Sequence, residues 1–202
     1  MEYVKVGDTD IRVSKLCVGC MSFGKAGTMH DWTLDEKQSE KLVNKALELG
    51  INFFDTANCY SLGTSEEYLG RAIRKYAKRE EVVLASKVYF NEGRLSKQAI
   101  RREIDGTLKR LGTDYLDLYI IHRFDYETPV EETMEALDSL VKDGKVRALG
   151  ASAMYGYQFY NMQMAAEKNG FTKFSAMENH YNLLYREDER ELIPICKQMN
   201  VM

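Results

Sequence analysis

Short apolar runs alternate along the chain with longer stretches in which apolar residues recur every three or four positions. A short run that is apolar throughout is typical of a β-strand buried on both faces, and the longer spacing predicts an amphipathic α-helix. The predicted strands are 16–19, 52–55, 82–86, 117–121, 146–150 and 174–177. Ahead of them, residues 3–6 and 11–13 flank the turn residues 7–10 and predict a β-hairpin.

The segments between the strands carry the signals of helices. Four of them place apolar side chains on one helical face: Leu42, Val43, Ala46 and Leu47; Leu69, Ala72, Ile73 and Tyr76; Ile100, Ile104, Leu108 and Leu111; and Val130, Met134, Leu137 and Val141. Capping-box spacings predict helix starts at Thr33 with Glu36, Thr64 with Glu67, and Thr128 with Glu131, with Pro129 as a first helical residue and Ser96 as a further cap. The predicted helix ends are at Gly50, Gly112, Gly144 and Gly170, because glycine adopts a left-handed conformation at the least cost.

Strands and helices in alternation predict a parallel sheet covered by helices, and two architectures fit that description. A doubly wound dinucleotide-binding sheet normally carries G-x-G-x-x-G after its first strand, whereas the first strand here runs into GCMSFGKAG, which lacks that spacing. We therefore predict an α/β fold, a TIM-type (β/α)8 barrel with an N-terminal β-hairpin.

A complete barrel has eight strand and helix units and typically ~250 residues, whereas these 202 residues supply about six units. We expect a single partial barrel domain over residues 1–202, with the hairpin in 1–14 and units one to six in 15–202. Residues 200–202 are expected to start strand seven. The C-terminal part of the barrel is expected to be missing, which would leave the first and sixth strands with unpaired edges.

Composition narrows the choice of partners. The chain is 45% hydrophobic and 29% charged, with a formal net charge of −3, which argues against a nucleic-acid or anionic-membrane partner. The N-terminus has no continuous apolar segment and no later run is long enough to span a bilayer, so we expect a cytoplasmic protein that acts on small molecules. The four cysteines are expected to be reduced, with Cys17 and Cys20 as packing residues rather than a metal site.

Reactive side chains occupy the carboxyl ends of the predicted strands, where the active site of a parallel barrel forms. They are Asp55, Lys87, His122, Ser152 and Glu178, with Tyr60 in the loop after Asp55. Each one alone has an ordinary structural explanation, but together they meet on one rim. The lysine and the aspartate should pair, and a tyrosine that reaches the same ammonium should have its pKa lowered from about 10. A neutral imidazole alongside could orient a substrate carbonyl, which would make the set a tuned proton donor.

The stretches FFDTANCYSLGTSEEYLGRAI, ASKVYF, LDLYIIHRFD and GKVRALGASAM closely resemble aldo-keto reductases, and the resemblance spans essentially the whole chain. It implies reduction of aldehyde or ketone carbonyls by hydride from NADPH. In that chemistry Tyr60 would be the general acid, Lys87 would lower its pKa, Asp55 would hold Lys87, and His122 would position the carbonyl.

The resemblance also implies cofactor contacts from Gly19, Met21, Asp55, Ser152 and Glu178. The last of these departs from the family pattern, because the family usually has Gln where this chain reads MENHYN from residue 177. An ionised glutamate accepts a hydrogen bond from the carboxamide of nicotinamide but donates none. The change predicts either altered nicotinamide binding or a harmless variant.

In this family the seventh and eighth strands supply most contacts to the pyrophosphate and the 2′-phosphate of the cofactor. We therefore expect these 202 residues alone to bind NADPH poorly. Trp32, with His30 beside it, and Tyr89 are candidate substrate-pocket residues, because aromatic loop side chains supply apolar contact area. Arg123 is expected to pair with Asp125 or Glu127.

Other functions remain open at this point. Asp55 and Glu178 could serve a glycosidase, although Lys87 and Tyr60 would then be unexplained. A metal hydrolase could use His122, His180, Asp55 and Glu178, but no close pair of ligands is present on a strand. A non-catalytic binding or regulatory module, as in the potassium-channel β subunits that resemble these reductases, and an inactive fragment are the remaining alternatives. The sequence makes no prediction of the oligomeric state.

Overall fold

The structure is a computed structural model that describes residues 1–202. It begins with an antiparallel hairpin of β1 (Tyr3–Lys5) and β2 (Arg12–Ser14), which confirms the predicted hairpin with slightly different bounds. Val6, Ile11 and Val13 are buried in a small apolar cluster with side chains of the larger sheet. The hairpin is therefore packed onto that sheet rather than projecting from it.

Six parallel strands form the larger sheet, and their order in space is their order in the chain. They are β3 (Cys17–Gly19), β4 (Phe53–Asp55), β5 (Val83–Val88), β6 (Leu116–Ile121), β7 (Val146–Ser152) and β8 (Phe174–Glu178). A doubly wound sheet would reverse its strand order at a switch point, whereas a barrel adds each strand beside the previous one. The observed order confirms the predicted barrel-type fold, with six of the eight strands of such a barrel in this chain.

The helices alternate with these strands and cover the sheet. They are α1 (Glu36–Glu48), α2 (Thr64–Tyr76), α3 (Lys97–Leu111), α4 (Val130–Lys142), α5 (Gly156–Asn169) and α6 (Leu192–Gln198). The predicted apolar faces of α1 to α4 supply much of a core of 33 buried side chains between helices and strands. Leu42 and Tyr76 are exceptions, since each is exposed at the margin of its helix.

Of the predicted helix caps, the one at Ser96 is confirmed and the one at Thr33 is not. Ser96 caps α3 as predicted, since its side chain accepts a hydrogen bond from the Ala99 N–H. The predicted cap at Thr33 is wrong. Asp35 caps α1 instead, in a reciprocal pair with Gln38 in which each side chain accepts from the other's backbone N–H. A carboxylate three residues before an amide satisfies two free N–H groups, which the Thr33 hydroxyl cannot do from its position.

The other two predicted starts are also shifted. Thr64 lies inside α2, because Gly63 is the capping residue, and Pro129 is the capping residue of α4 rather than its first helical residue. The Thr128 hydroxyl donates to the Asp125 carboxylate instead of capping the helix. The predicted helix ends hold, since the four glycines all have positive φ angles: Gly50, Gly112, Gly144 and Gly170.

The last residues of the chain run alongside β8. The Met177 N–H donates to the Met202 carbonyl (2.7 Å), and the Met202 N–H donates to the Ser175 carbonyl (3.0 Å). Residues 200–202, the expected start of strand seven, thus continue the hydrogen-bond ladder of the sheet at its open edge. No helix of this structure combines the length and the apolar character that a membrane crossing requires.

Candidate active site

The carboxyl ends of the parallel strands bring the predicted reactive residues to one rim. Asp55 is the last residue of β4, and Lys87 lies near the end of β5. His122 follows β6, and its N–H donates to the Val88 carbonyl at 3.0 Å, which ties it to the end of β5. The carboxyl ends of parallel strands lie on the same edge of the sheet, so polar residues that are distant in sequence become neighbours here.

Lys87 is the most enclosed charged group of this rim, with 1% of its side chain exposed. Its Nζ forms an ion pair with Asp55 Oδ2, donates to the Thr56 carbonyl at 3.1 Å, and lies 3.4 Å from Glu178 Oε1. Burial by itself disfavours the ammonium, but the attraction of the Asp55 and Glu178 carboxylates outweighs it and raises the pKa of Lys87. The lysine therefore stays protonated.

Tyr60 lies over this ammonium in a sharply folded loop. The Lys87 Nζ is 5.2 Å from the centre of the Tyr60 ring, and the ring is nearly buried. Ser61 and Leu62, which follow it, have the positive φ angles 47° and 54°. Such angles are costly for residues with a side chain and persist only where the surroundings hold them, so the tight turn fixes where Tyr60 points.

The predicted lowering of the Tyr60 pKa is not what this geometry produces. Burial raises the pKa of Tyr60 above its ordinary value of 10.0, and the attraction of Lys87 only partly offsets that effect. The carboxylates of Asp55 and Glu178 raise the pKa further. The sequence revealed the cation beside the phenol but not the burial or the second carboxylate, so the sign of the shift was wrong.

His122 completes the group, with its ring edge-on to Tyr60 at 5.7 Å between centres. Burial, followed by the positive charges of Lys87 and Arg123, lowers the pKa of His122 from 6.5 to about 3. Its Nδ1 is buried without a hydrogen-bond partner. The imidazole is therefore neutral at physiological pH and keeps hydrogen-bonding capacity for another group.

An open cleft of about 780 Å³ lies in front of His122. Five of its sixteen lining residues are aromatic side chains from the loops after β5, β6 and β7: Tyr89, Phe90, Phe124, Tyr126 and Tyr155. Tyr89, predicted as a substrate-pocket residue, is among these lining residues. Trp32 does not line this cleft, because it stacks on His30 at 4.5 Å between ring centres in the loop after β3. Phe90 and Tyr126 were not predicted, although both lie in loops that follow strands with reactive ends.

The residues expected to contact a cofactor follow the same rim. Gly19 pairs in register with Asp55, and Ser152 pairs with Glu178. Met21 is exposed just beyond β3. Two features fit a bound polar molecule: Asp55 Oδ1 is buried without a partner, and the Ser152 hydroxyl, which lines the cleft, makes no hydrogen bond within the chain.

Arg123 differs from its expected pairing. Arg94 takes both of the predicted partners, with its Nη1 at 2.9 Å from Glu127 Oε1 and 3.7 Å from Asp125 Oδ1. Arg123 makes no ion pair and lines the cleft instead. The sequence shows that Arg123 lies near Asp125 and Glu127 along the chain. Only the folded structure shows that Arg94, from the loop after β5, reaches these carboxylates instead.

The arrangement gives no support to the glycosidase and metal-hydrolase hypotheses. Asp55 and Glu178 are both in contact with the same buried ammonium, which does not suit a pair of carboxylates flanking a glycosidic bond. No group of three or more His, Cys, Asp or Glu side chains is placed to hold a metal ion. All four cysteines are free thiols, and Cys20 is buried in the core while Cys17 is exposed.

Comparison with known proteins identifies the family of the chain. The family model of the Aldo/keto reductase family matches residues 15–202. The chain is 42% identical, over 98% of its length, to a Schizosaccharomyces pombe protein that carries the provisional name aryl-alcohol dehydrogenase. It is 41% identical over its full length to the versiconal hemiacetal acetate reductase of Aspergillus parasiticus. The chain covers 65% of the length of each of these two relatives.

Proposed function

Because the chain belongs to the aldo/keto reductase family, we propose that it takes part in the NADPH-dependent reduction of aldehyde or ketone carbonyls to alcohols, with Tyr60 as the general acid. The observation that carries the proposal is the meeting of three groups, of which His122 lines the cleft. The phenol ring of Tyr60 lies 5.2 Å from the Lys87 ammonium and 5.7 Å from the His122 ring.

In this proposal His122, Tyr60 and Lys87 each have a separate role in the reduction of the carbonyl. His122, being neutral, donates a hydrogen bond that orients the carbonyl oxygen. As hydride reaches the carbonyl carbon, the oxygen gains negative charge, and Tyr60 transfers its proton to that oxygen to give the alcohol. The Lys87 ammonium stabilises the tyrosinate left behind until solvent returns the proton. A raised Tyr60 pKa keeps the donor protonated at neutral pH, as a general acid requires.

NADPH would supply the hydride when bound. We assign its contacts to Gly19, Met21, Asp55, Ser152 and Glu178, of which Asp55 and Ser152 carry polar atoms that have no partner in the chain. The free Ser152 hydroxyl and the Glu178 carboxylate supply one donor and one acceptor at adjacent strand ends, which suits an amide such as the carboxamide of nicotinamide.

We propose aromatic aldehydes and ketones as the substrate class. Phe90 stands edge-on to His122 at 5.0 Å between ring centres, and Tyr126 is held by a 2.9 Å hydrogen bond from Gln158. Flat apolar walls beside a hydrogen-bond donor favour an aryl carbonyl. The name of the Schizosaccharomyces pombe relative points the same way. Tyr89 is part of this pocket, and Trp32 would join it only if its loop moved.

The test compares this chain with Tyr60→Phe and with Tyr157→Phe as a matched control. Tyr157 loses the same hydroxyl but is exposed on α5, outside the cleft. NADPH binding is followed by nucleotide fluorescence and turnover by NADPH oxidation with 4-nitrobenzaldehyde. We expect Tyr60→Phe to lower kcat by about 10²–10⁴-fold with cofactor affinity unchanged, and Tyr157→Phe to match the parent.

Two results would count against the proposal. Equal turnover in Tyr60→Phe and the parent would remove Tyr60 from the chemistry. Tight NADPH binding with no turnover of any aldehyde would favour a cofactor-binding or regulatory module instead. The assay uses NADPH at millimolar concentration, so that weak cofactor binding does not hide turnover.

A further inference from the structure

Glu178 is the least expected partner of the Lys87 ammonium. We propose that Glu178 is a positioning residue that, together with Asp55, draws the charge of Lys87 away from Tyr60 and so sets how readily Tyr60 gives up its proton. The inference rests on the proposed role of Tyr60 as proton donor. It concerns the glutamate for which the sequence predicted either altered nicotinamide binding or a harmless variant.

The geometry of the three strand ends supports this role. Lys87 Nζ contacts the carboxylate of Asp55 and lies 3.4 Å from Glu178 Oε1, so one ammonium faces two carboxylates. Asp55 is 13% exposed and Glu178 45% exposed, which makes Asp55 the buried partner and Glu178 the one at the mouth of the cleft. A glutamine at position 178 could still accept a hydrogen bond from the ammonium but would carry no charge.

Burial, opposed in part by Lys87, raises the pKa of Asp55 to about 7. At the alkaline pH where Tyr60 titrates, Asp55 is therefore ionised, and the phenol experiences one cation and two anions. The other titratable groups around Tyr60 and Lys87 come from β3, the loop after β4, and the end of β6: Cys17, Cys20, Cys59 and His122, with Arg123 beyond His122. His122 is neutral, and burial raises the pKa of the Cys20 and Cys59 thiols, which stay protonated. Cys17 is an exposed residue whose thiol is partly enclosed, and that enclosure, with the Asp55 and Glu178 carboxylates, raises its pKa. Glu178 is thus the one carboxylate besides Asp55 that opposes the effect of Lys87 on Tyr60.

Removing the Glu178 charge should increase the electrostatic stabilisation that the Lys87 ammonium gives to ionised Tyr60. In a partly buried site, one charge changes the pKa of a nearby group by about one unit. We therefore expect Glu178→Gln to lower the titration midpoint of Tyr60 by about one pH unit, with the fold unchanged, because the substitution keeps the size of a partly exposed side chain.

The experiment reads Tyr60 directly, without cofactor or substrate. 3-Fluorotyrosine is incorporated at position 60, and its ¹⁹F signal is titrated in the parent, Glu178→Gln, Glu178→Asp and Glu187→Gln proteins. The fluorophenol is more acidic than tyrosine, which brings the titration into a range where the protein stays folded. Glu187→Gln is the matched control, since Glu187 lies in the same part of the chain but pairs with Arg190 at 3.5 Å rather than with Lys87.

A lower midpoint in Glu178→Gln alone, with Glu178→Asp close to the parent, supports the proposal. An unchanged or higher midpoint in Glu178→Gln overturns it, and so does an equal fall in Glu187→Gln, which would indicate an effect of net charge only. Should Glu178→Gln fail to fold, Glu178→Ala, which also removes the charge of this partly exposed side chain, is titrated in its place, and its midpoint gives the same decision. None of these readings depends on turnover, so failure of the reductase proposal would be seen separately.

Discussion

Asp55 and Lys87 form an ion pair in which 1% of the lysine side chain and 13% of the aspartate side chain are exposed. Two charges this deeply enclosed satisfy each other, and losing either one leaves the other without its counterion. Glu178 supplies a second, more exposed carboxylate to the same ammonium. Removal of the cation should therefore cost more folding free energy than removal of either anion, because it leaves two carboxylates without their counterion.

We expect Lys87→Met to destabilise the protein by about 3–5 kcal/mol, because it leaves Asp55 buried and unpaired beside Glu178. The double variant Asp55→Asn with Lys87→Met removes both charges of the buried pair and should recover most of that loss. Urea unfolding of the parent, both single variants and the double variant measures the coupling. A cost below about 1 kcal/mol for Lys87→Met would contradict this prediction, since it would mean that Asp55, whose pKa burial already raises to about 7, takes up a proton or reaches solvent.

His122 gives the protein a pH-dependent stability with a definite sign. Its pKa is lowered from 6.5 to about 3 in the folded state, so below pH 6.5 the unfolded chain takes up a proton at His122 that the folded chain does not. Stability should fall as the pH falls through the range from 6.5 to about 3. The contribution should be up to about 1.4 kcal/mol per pH unit.

The control for this prediction is His122→Gln, which removes the titrating ring and keeps a hydrogen-bonding side chain. The difference in the free energy of unfolding between parent and variant isolates His122 from the other groups that titrate in acid. That difference should change steadily in favour of the variant as the pH is lowered. A difference that stays constant would mean that the folded protein protonates His122 as readily as the unfolded chain does.

The aromatic side chains of the cleft predict a preference for aromatic over short aliphatic aldehydes, which kinetics can measure. Phe90→Ala removes the ring that stands edge-on to His122, and the loss of about 1–2 kcal/mol of aromatic contact corresponds to a rise of about 5- to 30-fold in KM for 4-nitrobenzaldehyde. The KM for a short aliphatic aldehyde, which cannot reach across the cleft, should change little. Tyr157→Ala, an exposed aromatic residue outside the cleft, serves as the control. Equal changes for both aldehydes would place Phe90 outside the substrate site.

The order of elements and the rim of reactive residues were determined by the sequence itself. A strand buried on both faces must be apolar throughout, and a helix on its surface must repeat every three or four residues, so both are legible along the chain. The barrel order then places Asp55, Lys87 and His122 together without further information. Helix starts were less certain, because Thr33 and Asp35 are both capable caps and only the reciprocal contact with Gln38 distinguishes them.

The tertiary structure alone decided the energetics of the site. The Tyr60 pKa depends on how much solvent the fold removes, and burial there outweighs the cation that the sequence had revealed. Arg94 rather than Arg123 reaches Asp125, because loops after β5 and β6 meet in space. The contact of Glu178 with Lys87 follows from strands β5 and β8 ending at the same rim. Hydrophobic periodicity is a local property of the chain, whereas solvent exclusion and the choice among charged partners depend on side chains that only folding brings together.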